Sequence, residues 1–171
     1  MKKLKKLSLT TLSSESIVLS VQQQMEIYAG VGIDGLCYFE GLAILSGIFN
    51  CNYSEMYYVN NYAATHGGYG AIFDASLHLK GVEASSAVSY LTTQFTASSI
   101  GIGGFSSALA SGQKIMTDLN QGNGVSHAVI ITGYNSSTGM YTYQDANGTG
   151  TASASQLNTS FSMAVSSGIP H

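Results

Sequence analysis

Three residue types in this 171-residue chain could together carry out nucleophilic chemistry: a cysteine at the head of a helix, a histidine at the head of a strand, and an acid on the following strand. In "DGLCYFEGLAILSGIF", residues 34 to 49, Asp34 and Gly35 suit a helix entry, and Leu42, Ala43, Ile44 and Leu45 favour the helix itself. Cys37 is therefore expected near a helix N-terminus. A helix start favours a thiolate over a thiol, and a neighbouring imidazolium adds to the effect.

His127 opens the apolar run "HAVIITGY" and can supply the imidazole. The turn "NSSTG", Asn135 to Gly139, folds the chain back near residues 136 to 137. Opposed residue numbers then add to about 272 to 274, which sets His127 across from Asp145 or Asn147. Both share its parity and hence its sheet face, and directly opposed β-carbons lie about 5 Å apart. Asp145 could thus hold the ring in the tautomer that offers its other nitrogen to a thiol, with Asn147 as the alternative third member.

The elements that must position these groups follow from periodicity. The Cys37 helix comes first, and Ser54 with Glu55 starts a second helix that stops at Gly67-Gly68. Residues 67 to 81 read as a loop with a short extended piece. Ser85 to Thr96 reads as a helix, with Val88, Leu91 and Phe95 on one face, and "SSALASG" as a short helix ending at Gly112. The period then changes. "QKIMTDL", "HAVIITGY", "MYTYQDA" and "FSMAV" are β-prone runs separated by "NQGNG", "NSSTG" and "NGTGT", the pattern of antiparallel strands. Helices followed by strands predict an α+β fold.

Composition excludes several classes. Only 9% of residues are charged, 44% are apolar and the net charge is -3, which is not the signature of a disordered chain. Four of the six lysines (Lys2, Lys3, Lys5, Lys6) stand at the start, and beyond Gly30 only Lys80 and Lys114 face seven acids. A nucleic-acid partner is not expected without a basic surface. The apolar runs are too short to span a bilayer, so no transmembrane segment is expected. "SSIGIGGF" lacks the third glycine of a dinucleotide loop and the lysine of a P-loop.

Cys51 lies between Asn50 and Asn52 and reads as packing. If residues 37 to 49 form one helix, it stands about 20 Å from Cys37. A disulfide needs α-carbons within about 7 Å, so pairing would require a bend, which Gly47 and Asn50 allow. His66, His78 and the terminal His171 lack ligand spacing, and no metal or cofactor is implied. Tyr57, Tyr58, Tyr62 and Tyr69 could line a groove or pack in the core, and Asp118 reads as a solvated strand end.

Residues 1 to 30 have the lysines of a secretory n-region but no continuous apolar stretch. Ile17, Val21, Met25 and Tyr28 are close to helical spacing, and the segment ends in Ala29-Gly30. This resembles the double-glycine-type leaders of bacterial peptides, which the peptidase domain of an ABC exporter binds and cuts after the small pair. An ordinary N-terminal helix is the alternative. The leader reading gives a removable segment at 1–30, a domain at 31–171 and a secreted product.

Cys, His and Asp in this order resemble the papain-like cysteine peptidases, above all their small bacterial leader-processing branch. "GLCYFEGLAIL" matches the head of the central helix, "GVSHAVIITGY" the histidine strand and "YTYQDANG" the end of the next strand. The resemblance covers most of residues 31 to 171. It implies a helical part bearing the nucleophile, then an antiparallel sheet, and attack by a Cys37–His127 pair on a peptide or related amide with Asp145 as third member. A secreted bacteriocin-like or interaction protein on a catalytically weak scaffold, and a Cys-His peptidoglycan amidase, are the rival readings. The chain departs from the family in one respect. The family's oxyanion-hole glutamine, about six residues before the Cys, is replaced by Val31, and Gln24 lies farther upstream. Loss of such a donor typically costs about 100- to 1000-fold in rate. The Cys37 amide is expected to supply one donor, and the α-ammonium of Val31, freed by leader removal, the other.

Overall fold

The computed structural model describes residues 36–74, 79–120 and 126–169. The expected leader with Ala29 and Gly30, the residues Gln24, Val31, Asp34 and Gly35, and His78 and His171 lie outside the described residues. The described chain is α+β, with four helices and a six-stranded antiparallel sheet among those residues.

Helix α1 spans Cys37–Ile48. Phe39, Leu42 and Leu45 recur at helical spacing and are fully buried, each worth about 1.5–3 kcal/mol of apolar burial. Gly41 lets the helix press close to the sheet, since a β-carbon there would stand 2.9 Å from Met116 Cε. The helix ends because Asn50 adopts a left-handed conformation at φ 59°, a role that asparagine tolerates. Cys51 N–H then donates to the Ser46 carbonyl at 2.9 Å, and Tyr53 N–H to Ser46 Oγ at 2.7 Å. Cys37 and Cys51 are both free thiols at opposite ends of α1, so the alternative pairing is not made.

Helix α2, Glu55–Thr65, starts on Ser54, whose hydroxyl accepts from Tyr57 N–H at 3.2 Å. Helix α3 spans Ala84–Gln94 and runs directly into strand β1, Phe95–Ser99. The predicted helix over 85 to 96 is therefore too long by two residues. Phe95 keeps the helical spacing of Val88 and Leu91 but is extended at φ -140°, ψ 150°, because β1 pairs with the last strand of the chain. Buried tyrosine hydroxyls tie the helices together. Tyr90 Oη donates to the Tyr58 carbonyl at 3.1 Å, and Tyr38 Oη to the Ala87 carbonyl at 2.7 Å.

Helix α4 is short, Phe105–Ala110, and strands β2 Lys114–Asn120, β3 Ser126–Asn135, β4 Met140–Asp145, β5 Gly148–Ser153 and β6 Leu157–Gly168 follow. Their order is β1-β6-β2-β3-β4-β5. Strand β5 lies where the sequence reads as a turn: the turn takes only Ala146 and Asn147, and pairing resumes at Gly148. Alternation along β3 divides the core. Val129 and Ile131 join Phe105, Ile115 and Tyr141 on the α4 side, whereas Ile130 and Met116 approach Gly41 on α1. No helix among the described residues is long and apolar enough to cross a membrane.

One buried acid works against the packing of α1 on α2. Glu55 is half-buried and its Oε1 has no hydrogen-bond partner. Burial first, and the Glu40 charge second, push its carboxyl up to about 7. The folded chain thus holds a proton that the unfolded chain has lost, so stability falls as pH rises from about 4.5 to about 7 and stays reduced above it. Replacing Glu55→Gln is expected to raise the melting temperature at pH 8 and leave it unchanged near pH 4, measured by thermal denaturation at both values.

Candidate active site

Cys37 is the first residue of α1, as the sequence predicts, and it is partly exposed. The helix enters through Leu36 (φ -87°, ψ 2°), whose side chain offers no cap, and the ladder begins with Glu40 N–H donating to the Leu36 carbonyl at 3.0 Å. The amides of Cys37, Tyr38 and Phe39 precede the first intrahelical bond and point along the positive end of the helix dipole. The Tyr38 hydroxyl bond to Ala87 anchors this turn to α3, one residue from the sulfur.

The histidine and the acid are brought together by register. Ile131 pairs with Tyr143 and Ile130 with Gln144, but nearer the turn Gly133 pairs with Thr142 and Asn135 with Met140. Thr132 is therefore an extra residue, a bulge that shifts the pairing by one. Without it the alternation would carry His127 onto the face of Ala146 and Gly148, and Asp145 would point away. The turn itself is the expected one. Gly139, at φ 70°, donates to the Asn135 carbonyl at 2.8 Å, and Asn135 Oδ1 accepts from Ser137 N–H at 3.0 Å.

Extended past Ile130, this register sets His127 opposite Asn147, yet the acid that meets the ring is Asp145. The chain has already turned into β5, and Asn147 is exposed. His127 Nε2 lies 3.0 Å from Asp145 Oδ2, with both side chains mostly buried (15% and 12% exposed). Asn147 N–H donates to the other oxygen, Asp145 Oδ1, at 2.9 Å, which fixes the carboxylate from behind. The Cys37 side chain acts on the ring as well. With Nε2 on the carboxylate, Nδ1 is the ring nitrogen left for sulfur. Strand β4 makes no pair with β3 beyond Ile130–Gln144, so the sheet is open where α1 begins.

The Cys37 side chain beside the ring, followed by the bond to Asp145 and the charges of both, holds the His127 imidazole up at about 9, against the opposing effect of burial. An imidazolium is the prevailing form at neutral pH. The arrangement can therefore present a sulfur nucleophile, a proton donor beside it, and unpaired amides that could receive an oxyanion.

A cleft of about 220 Å³ opens beside Cys37, lined by Gly81, Ala84, Ala87, Ala128 and Phe161. Asp118 also lines it, which corrects the reading of that residue as a solvated strand end. It sits within β2, opposite Ala128, and burial pushes its carboxyl up to about 6 against the pull of His127. Its alternation with Met116, on the side of the sheet that α1 covers, is the signal that could have placed it.

The other singled-out residues serve packing. Tyr58 and Tyr62 are core residues, Tyr57 stacks on Tyr53 at 4.3 Å, and Tyr69 Oη donates to Asn60 Oδ1 at 2.7 Å. His66 stacks on Tyr62 at 3.9 Å. The Cys51 sulfur occupies the space where a β-carbon on Gly168 would stand. No family model matches the chain, and comparison with curated proteins and with solved structures finds no match.

Because the His127 midpoint is raised above its unfolded value, the stability it confers is fully present below about 6.5 and is lost as pH rises through about 9. An NMR titration of the ring is expected to show a midpoint well above 6.5. Cys37→Ala should lower it more than Asp145→Asn does, since the Cys37 side chain is the larger cause. A midpoint that ignores Cys37→Ala would contradict this arrangement.

Proposed function

We propose that the chain is a papain-like thiol hydrolase that cleaves a peptide or related amide with Cys37, His127 and Asp145. The observation that carries this reading is the imidazole of His127, bonded at Nε2 to Asp145 and engaged with the Cys37 side chain at the head of α1. In the reaction, Cys37 Sγ attacks the carbonyl carbon and forms the C–S bond. The His127 imidazolium gives its proton to the departing amine as the C–N bond breaks. Water then attacks the thioester and passes a proton to His127, and the acid leaves as the thiolate is restored. The amides at the start of α1 receive the carbonyl oxygen in both steps.

The substrate is a peptide or protein, and the leader reading adds an ABC exporter with a peptidase domain as partner and secretion as the destination. Removal of residues 1–30 would free the amine of Val31 six residues before the nucleophile, where the family's glutamine is missing.

Iodoacetamide labelling followed by mass spectrometry tests the proposal. Cys37 is expected to react faster than Cys51, and His127→Ala to abolish the preference. Hydrolysis of a peptide pool should fall by about 100- to 10,000-fold in the same variant, the usual worth of general acid–base catalysis. Equal labelling of the two thiols would instead favour a secreted interaction protein on the same scaffold, and release of fragments only from purified cell wall would favour a peptidoglycan amidase.

A further inference from the structure

The cleft beside Cys37 is walled by small and apolar residues, Gly81, Ala84, Ala87, Ala128 and Phe161, and has one charged side chain among its described lining residues, Asp118. A displaced register in the sheet contributes to it. Thr117 pairs with Ser162, but the next residue, Asp118, pairs with Asn158, so residues 159 to 161 of β6 bulge out. Thr117 Oγ1 donates to the Phe161 carbonyl at 3.0 Å and takes a 2.7 Å bond with Ser162 Oγ, which pins the bulge on its near side. Phe161, inside the bulge, packs edge-on against Tyr38 at 6.2 Å and closes one wall of the cleft.

No hydrogen bond joins the Asp118 carboxylate to another described side chain. A half-buried acid that takes no side-chain hydrogen bond is costly to keep ionised unless a cation or a donor reaches it. The cleft has room for one long side chain, and its walls suit the methylenes of such a chain.

We propose that Asp118 is a specificity-determining residue that selects peptides carrying a basic side chain, lysine or arginine, next to the bond presented to Cys37. The inference rests on the hydrolase reading for the direction of the substrate, and on the cleft alone for the choice of charge. The aliphatic stem lies along Ala84, Ala87 and Ala128, and the cationic tip meets the Asp118 carboxylate. The same carboxylate faces the His127 charge, so it has a second, weaker partner when the cleft is empty.

Two measurements on the full chain test this. In a Cys37→Ser background, where no reaction occurs, tetrapeptide pools with lysine, norleucine or glutamate fixed at each position in turn are titrated by thermophoresis. Lysine pools should bind at least tenfold tighter than norleucine pools at one position, with glutamate weakest, and Asp118→Asn should remove the difference. Equal binding of lysine and norleucine pools to the unsubstituted cleft overturns the proposal without any need for the Asp118 variant to fold. With Cys37 intact, iodoacetamide carries no subsite group, so Asp118→Asn should change its rate far less than the tenfold loss of lysine selectivity, through the weaker Asp118–His127 attraction alone. A rate slowed by tenfold or more there would make Asp118 a positioning residue for His127 and overturn the specificity role. Failure of the hydrolase reading shows differently, as loss of the Cys37-over-Cys51 preference while lysine selectivity in binding persists.

Discussion

A 3.0 Å contact between His127 Nε2 and Asp145 Oδ2 sets the geometry on which the site depends. It turns one ring nitrogen toward the carboxylate and leaves the other for sulfur, so a single hydrogen bond fixes both tautomer and orientation. The contact is in turn a product of register. Thr132 adds one residue to β3, and the added residue keeps His127 and Asp145 on the same parity. Few positions in the fold combine so small a change with so large an effect, because a one-residue slip in a sheet reverses every side chain beyond it.

The same sheet also shapes the cleft beside Cys37. Strand β6 departs from β2 just at Asp118, and the chain that bulges there brings Phe161 into the cleft wall. Two irregularities therefore bear on the surroundings of Cys37, one aligning an imidazole with its acid and the other shaping the wall of a cleft. The first, at Thr132, acts from a distance of five residues along β3, whereas the second, at Thr117/Asp118, lies at the cleft itself. Bulges next to sites of function are common for this reason: they redirect a few side chains without disturbing the ladder as a whole.

Much of this was legible in the residues. Alternating apolar runs marked β2, β3, β4 and β6, and the helix formers after Cys37 marked α1. The parity count across "NSSTG" reached the correct pair of candidates although the bulge is invisible in it: the count allowed for a range of registers, and the true one fell inside. Strand β5 is hidden because "GTGTAS" carries turn residues, and only its pairing with β4, with Gly150 against the Tyr143 ring, makes it a strand. The start of β1 is hidden for a different reason. Phe95 satisfies the helical period of α3, and a tertiary partner, β6, overrides the local preference. Asp118 shares the parity of Met116, and that alternation places it in the cleft once the helix covering that side of the sheet is known.

The histidine and its acid are neighbours within one hairpin, whereas the thiol comes from a helix far upstream and must dock across the finished sheet. Local contacts of that kind form quickly, and distant ones wait for the chain between them to be in place. During synthesis the cysteine leaves the ribosome long before either partner exists. A nascent or truncated chain would carry an ordinary thiol, so the pairing of sulfur, imidazole and carboxylate arrives only once the later strands are in place.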